Sequence, residues 1–328
     1  MLISVVMAVY NGEKYVEEAV RSVLNQTYPH FELIIVNDGS TDRTWEILEA
    51  IDDPKVKIIH QDKNHGAASC LNLGIEHAKG DWIAIHDADD ISEPNRLEEQ
   101  ALYLQTHPGR IGVSSLIAGR IGKEVVVHNK EVQYYNLILD HGQIINTRLF
   151  SCYLCHGTVV FSKKAFYAVG RYNPKYKISY DYDLWLRLFQ ISPIEKIPKV
   201  LYHYRLREDS LGKQDRSKTI AELMAISSQH VYKNQIRRRK RKPVLTIVGS
   251  TKGCLFFKRH VGQNFAKKYY IRINTIKDVR KLRIRNRKGK LKAAVLLNNP
   301  FINRVYDDLV RRDASWRKKL FKIWNYKY

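Results

Sequence analysis

Apolar runs alternate with stripes of apolar residues at helical spacing through the first 110 residues, and this alternation restricts the chain to an α/β sheet with parallel strands. Ile3–Val9 is almost continuously apolar, as a strand covered on both faces must be. Val16, Ala19, Val20, Val23 and Leu24 then follow the i, i+3, i+4, i+7, i+8 spacing of an amphipathic helix, and Pro29 marks its exit. Leu33–Val36 is a second buried strand. The turn Asp38-Gly39-Ser40-Thr41 feeds a helix through Trp45, Leu48 and Ile51. Lys55–His60 is a third strand, a helix through Ala68, Leu71, Ile75 and Ala78 stops before Gly80, and Trp82–Ile85 is the fourth. The order β-α-β-α-β-α-β implies right-handed crossovers, and in such sheets ligands bind beyond the carboxyl ends of the strands. Three of those ends carry polar or special residues: Ala8–Asn11, Asn37–Ser40 and His86–Asp90. Past Ile111 the pattern loosens. Strands are expected at Val113–Ile117, Glu124–Val127, His156–Phe161 and Lys199–Arg205, and a helix at Tyr180–Gln190 that buries Leu184, Trp185 and Leu188.

Charge divides the chain. Residues 1–211 hold 23 Lys and Arg against 27 Asp and Glu, whereas residues 212–328 hold 33 against 6. A slightly acidic domain therefore precedes a strongly basic one, and such a tail faces a polyanion: nucleic acid, an anionic membrane surface or a phosphorylated acceptor. The chain begins MLISVVMAVYNG without a basic segment, so no signal peptide is expected. No stretch approaches the roughly 18 apolar residues that span a bilayer, AAVLL at 293–297 being far too short. The four cysteines are expected to be reduced thiols of a cytoplasmic protein. Cys152-Tyr153-Leu154-Cys155-His156 has the spacing of a haem-attachment motif, but that chemistry needs export, and the stretch runs on into an ordinary strand.

The fourth strand ends in Asp87, Asp89 and Asp90, three carboxylates in four positions that repel one another unless a cation sits among them. Asp87 and Asp89 point the same way while the chain stays extended, an arrangement that suits Mg²⁺ or Mn²⁺ with open positions for phosphate oxygens. The alternative is a helix start, with Ser92 as cap and Pro94 in the first turn, which accounts for Ser92 but not for the acids. Asp38 can accept the imide N–H of a uracil or form an Asx turn. Neither G-x-G-x-x-G nor a P-loop sequence occurs.

The stretches SVVMAVYNGEKYVEEAVRSVLNQTYPHFELIIVNDGSTDRT and NHGAASCLNLGIEHAKGDWIAIHDADD, followed in order by HGTVVF, YDYDLWLRL and YHYRLREDSL, resemble family-2 glycosyltransferases over about residues 3–211. The resemblance implies a GT-A fold, Rossmann-like with a mostly parallel central sheet flanked by helices. A nucleotide-binding half would occupy about 1–110 and an acceptor half about 111–211, followed by a basic, mainly helical extension over 212–328. It also implies inverting transfer from a nucleotide sugar, UDP-linked, to a glycan or lipid-linked acceptor in cell-surface polysaccharide or lipopolysaccharide synthesis. Ala8, Val9 and Tyr10 would line the nucleoside pocket. Asp38 would bond the uracil, Asp87 would touch the ribose or donor sugar, and Asp89 would ligate Mn²⁺ or Mg²⁺. Asp181 would be the general base, although Asp183 lies two residues away and faces elsewhere on the helix.

This sequence departs from the family pattern at several positions: Ala8 stands for Pro, Asn37 for Asp, Tyr180 for Glu and Leu71 for Arg. A His often found near Arg207 is absent, and His203 and Arg205 are the substitutes expected to contact phosphate or acceptor. In the implied reaction the metal acts as a Lewis acid on the leaving diphosphate.

In the tail, Val305, Leu309, Trp316, Leu320, Ile323 and Trp324 share an arc of about 100° on a helical wheel. That pattern, with the basic run at 237–242, suits an anionic membrane surface and a peripheral place on the inner face of the cell membrane. The other readings are packing on a core and, less favoured, nucleic-acid binding. Two further functions stand beside the first, a sugar nucleotidyltransferase and a nucleic-acid-binding protein acting through the basic region.

Overall fold

The structure is a computed structural model that describes residues 1–236, 244–291 and 293–324, so the basic run at 237–242 lies outside the described residues. The chain divides into two compact units, one of Met1–Asn146 and Cys152–Asp209, the other of Thr147–Ser151 and Ser210–Tyr328.

The first unit runs β1 (Ile3–Val9), α1 (Val16–Leu24), β2 (Phe31–Asn37), α2 (Thr44–Glu49), β3 (Val56–His60), α3 (Ala67–His77) and β4 (Trp82–Ile85). It continues with β5 (Ile91–Ser92), α4 (Arg96–Thr106), β6 (Gly112–Ile121), β7 (Glu124–Val126), α5 (Lys130–Tyr135) and α6 (His141–Thr147). Last come β8 (Val160–Ser162), α7 (Lys163–Ala168), α8 (Tyr180–Leu188) and β9 (Glu195–Arg205). The strand order is β3-β2-β1-β4-β8-β6-β9-β5, with β7 paired to β6. β1 to β4 pair in parallel, and β8 joins β4 antiparallel.

Both faces of the central strands are covered, which is why β1 and β4 are almost continuously apolar rather than alternating. Val5, Met7 and Val9 pack with Val16, Val20 and Val23 of α1 and with Leu97 of α4. Val6 packs on the opposite face with Leu71 and Ile75 of α3 and with Trp185 of α8. Gly74 is the point of closest approach between α3 and the sheet: a Cβ there would lie 2.6 Å from Val6 Cγ1. The expected strand at His156–Phe161 is corrected. His156–Thr158 is a 3₁₀ turn and only Val160–Ser162 pairs, because the chain must bend to bring His156 to the acid cluster.

In the second unit α9 (Leu211–Gln214) and α10 (Arg216–Val231) lead to β10 (Leu245–Gly249), α11 (Thr251–His260), β11 (Lys268–Arg272) and α12 (Val279–Arg287). Then come β12 (Ala294–Leu297), α13 (Pro300–Arg312) and β13 (Leu320–Ile323). The region is mainly helical by residue, yet its helices pack on a four-stranded parallel sheet in the order β11-β10-β12-β13, which the sequence reading did not anticipate. The single amphipathic helix expected toward the C-terminus is corrected with it. The helix stops at Arg312, Asp313 bonds the Ser315 N–H through Oδ1, and Leu320–Ile323 is a strand. Val305, Leu309, Trp316 and Leu320 belong to one buried cluster, and Ile323 and Trp324 are buried as well. That arc is core, not a membrane-facing stripe. Among the described residues no helix is long and apolar enough to cross a membrane.

Candidate active site

The carboxyl edge of the first sheet is built from three loops tied to one another. Beyond β1, Asn11 adopts φ 51°, accepts the Thr41 N–H on Oδ1 at 2.8 Å and gives its own N–H to Ser40 Oγ at 2.9 Å. Gly12 N–H reaches Thr44 Oγ1 at 2.8 Å. Asp38, 2% exposed, accepts the N–H groups of His65 and Gly66, one on each oxygen, at 2.7 and 2.8 Å. It thereby anchors the loop that starts α3. Gly39 stands at φ 66°, and a Cβ there would meet the Lys63 backbone at 2.7 Å, so its missing side chain serves loop packing. Ala8 is half-buried and Tyr10 is 49% exposed at this edge. Val9 is corrected: its side chain lies in the core against α1, and its carbonyl accepts the Asp38 N–H.

The three acids past β4 each meet a different partner. Asp87 Oδ1 lies 3.2 Å from His156 Nδ1, and the Asp87 N–H donates to the Tyr202 hydroxyl at 3.1 Å. Burial alone would raise Asp87, but the His156 charge and hydrogen bond hold its carboxyl below the usual range. His156 is raised in return, against its own burial, by Asp87. Its Nε2 sits 3.0 Å from the Tyr172 hydroxyl, with the Tyr180 and Trp185 rings around it. Gly157 makes this approach possible. A Cβ there would lie 2.1 Å from the Tyr202 hydroxyl oxygen and 2.9 Å from Asp87 Oδ2.

Asp89 Oδ2 lies 3.3 Å from Arg207 Nη2. Burial and neighbouring Asp87 raise Asp89, and Arg207 opposes them. Asp90 is 2% exposed, and its Oδ1 accepts the Arg205 N–H at 2.7 Å. Burial, then Asp89 and Asp87, push its carboxyl well above the usual range, so it favours the protonated form. Beneath the cluster lies Arg96, 1% exposed, giving hydrogen bonds to Ile85 O, Ser92 Oγ and Gln100 Oε1 and stacking 5.0 Å from the Tyr202 ring. Burial lowers Arg96 only to about 10, so it stays charged at neutral pH. Burial and Arg96 push His86 down to about 3, leaving it neutral.

Asp181 and Asp183 are told apart by their surroundings. Asp183 Oδ2 accepts both Nε and Nη2 of Arg187, at 3.0 and 2.7 Å. Asp181 instead interacts with His156 and Asp87, and its carboxyl is raised, chiefly by burial. Of the two expected phosphate contacts, His203 Nε2 is taken by Glu93, while Arg205 gives Nε to Asp89 O at 2.6 Å and Nη2 to Glu18 at 2.8 Å. Arg207, set aside in the sequence reading, is the side chain at Asp89. His156 and Arg96 were missed as well. The only signal for His156 was its place at the head of HGTVVF.

The cation beside the Asp89 carboxylate in this arrangement is the Arg207 guanidinium, and among the described residues no group of three His, Cys, Asp or Glu side chains is placed to hold a metal ion.

Similarity to known proteins bears on the fold. The glycosyl transferase family 2 model matches residues 4–170. An uncharacterized glycosyltransferase of Haemophilus influenzae is 31% identical over 212 residues, covering 62% of this chain and 65% of its own length, so just under two thirds of that relative is represented here. The putative glycosyltransferase EpsE of Bacillus subtilis is 32% identical over 225 residues, covering 66% of this chain and 77% of its own. Among solved structures, S. aureus TarS 1–349 in complex with UDP-GlcNAc superposes with a TM-score of 0.58 at 20% identity, over 71% of this chain and 67% of that one. Mannosyltransferase PcManGT from Pyrobaculum calidifontis, in complex with GDP-Man and Mn²⁺, gives 0.56 at 18% identity, over 79% and 68%. At these identities the two structures speak for the fold alone.

Proposed function

Because the chain belongs to glycosyl transferase family 2, we propose that its first unit transfers a sugar from a UDP-sugar to a hydroxyl of a glycan or lipid-linked acceptor. The observation that carries this reading is that Asp87 and Asp181 both act on His156, with Asp89 beside Arg207 next to them, at the carboxyl edge of a parallel sheet. The acceptor oxygen attacks the anomeric carbon and Asp181 takes its proton. The bond from that carbon to the β-phosphate oxygen breaks, its electron pair leaves with the diphosphate, and a single displacement inverts the centre. Asp38 retains a second lone pair on each oxygen, and one of them is assigned to the uracil imide N–H. A hexose or N-acetylhexosamine is the donor sugar we propose, the class that the fold relatives in complex with UDP-GlcNAc and GDP-Man hold. The test is calorimetric titration of UDP and of GDP into the full chain. UDP is expected to bind and GDP much more weakly, whereas a folded chain that ignores both nucleotides sinks the reading.

For the second unit, we infer an anionic lipid surface as partner. Its support is a cavity of about 930 Å³ between α12 and α13, where Arg280, Arg287 and Arg304 surround Ile284 and Phe301. Arginine over an apolar wall suits a phosphate headgroup above its acyl chain, at about 1 kcal/mol per basic residue near the surface. Reversing two of these charges, Arg280→Glu with Arg304→Glu, should weaken co-sedimentation with phosphatidylglycerol vesicles roughly tenfold or more. The same reversal on α11, Lys252→Glu with Arg259→Glu, should weaken it less. Equal losses would mean that bulk charge, not this cavity, does the binding.

A further inference from the structure

We propose that in this chain Arg207, rather than a divalent ion, meets the charge of the donor diphosphate, with Arg205 as the positioning residue that holds it in place. The inference rests on the donor reading above and names the cation of that site. Three carboxylates at one strand end repel one another, and the protein answers each: His156 lies beside Asp87, Arg207 beside Asp89, and Asp90, which favours the protonated form, accepts the Arg205 N–H. Arg205 is 8% exposed and held at four points: by Asp90, by the Asp89 carbonyl, by Glu18, and over the Tyr15 ring at 4.3 Å. Arg207 leaves the same strand end two residues later, stacks 5.4 Å from the same ring, lies 3.3 Å through Nε from the exposed Asp209 carboxylate, and keeps 27% of its side chain exposed beside an Asp89 that is 32% exposed. The buried arginine is committed to the scaffold, and the partly exposed one borders the solvent from which a diphosphate arrives. A guanidinium is planar, permanently charged and carries five donors, so it can bond a carboxylate and a phosphate together, which a metal ion in its place would do by ligation. Asp89 then aims Arg207 instead of ligating a metal.

The test is calorimetric titration of UDP, in EDTA and in Mn²⁺, into wild type, Arg207→Met and Arg207→His, with uridine as a phosphate-free control. Wild type should bind UDP equally, within about twofold, in both media. Arg207→Met should lose about 10- to 100-fold for UDP in both, as expected for a lost charge-assisted pair, and lose nothing for uridine, which also shows that the variant is folded. Arg207→His removes the guanidinium and leaves the Asp89 carboxylate, an oxygen ligand that suits Mn²⁺, beside an imidazole, so its UDP binding should become Mn²⁺-dependent. Wild-type binding that requires Mn²⁺, or an Arg207→Met variant as tight as wild type, overturns this inference and leaves the donor reading standing. Wild type that binds UDP in neither medium overturns both.

Discussion

Asp181→Asn should lower kcat by about 10²- to 10⁴-fold, the usual contribution of a positioned general base, while UDP affinity stays where it was. The expectation comes from contrast within one helix. Asp183 is committed to Arg187 by two hydrogen bonds, so its charge is already answered, and Asp183→Asn should reduce stability more than rate. Asp181 has burial raising its carboxyl and His156 opposing the rise. A base works only when deprotonated, and a raised carboxyl is protonated at a higher pH than a free one. The acid limb of the wild-type rate profile should therefore fall above the ordinary carboxylate range. Because Asp181, Asp87 and His156 titrate together, that apparent value belongs to the group. Asp183→Asn should keep the limb, and Asp181→Asn should abolish it along with most of the rate. A pH series of nucleoside diphosphate release decides the matter. If Asp181→Asn retains kcat within a factor of about two, the proton goes elsewhere.

What could be read from the sequence was local. Ile3–Val9 and Trp82–Ile85 are the strands at the bounds expected, since a run buried on both faces leaves no other reading of its apolar residues. The acids at the end of β4 were legible for the same reason: a buried strand that runs into three carboxylates advertises a site. Their partners were not legible. His156 and Arg207 reach Asp87 and Asp89 across 69 and 118 positions of chain. Only the pairing of β8 with β4 and of β9 with β5 and β6 brings them there. No spacing rule connects such residues. The sheet of the second unit escaped for a different reason. Its strands are four or five residues long, and two of them, KYYIR and LFKI, carry the basic residues that colour the whole region. Val305 through Trp324 matched a helical period by running through a helix, a 3₁₀ turn and a strand that all face one core. Periodicity reports which residues are buried, and over mixed elements it can imitate a single helix.

Arg96→Met is the substitution that should cost most in stability, about 3–5 kcal/mol, the range for breaking a buried charged network by removing one partner. Methionine fills much of the volume but donates nothing, so Ile85 O, Ser92 Oγ and Gln100 Oε1 lose the donor that Arg96 gave each of them. That part of the loss does not depend on pH. The remainder does, because Arg96 is also a positive charge behind Asp87 and Asp90. Asp87 has a folded pKa below its unfolded value, so its contribution to stability is present above the unfolded pKa and fades as pH falls through the folded one. Without Arg96 that lowering shrinks. The change penalises the variant where Asp87 is ionised and relents where it is protonated. The gap between wild type and Arg96→Met in urea midpoint should therefore be widest near neutral pH and narrow as pH drops through the carboxylate range, without closing. A gap that stays constant would assign Arg96 to hydrogen bonding alone. A gap that widens in acid would mean that Arg96 does not hold the acid cluster at all.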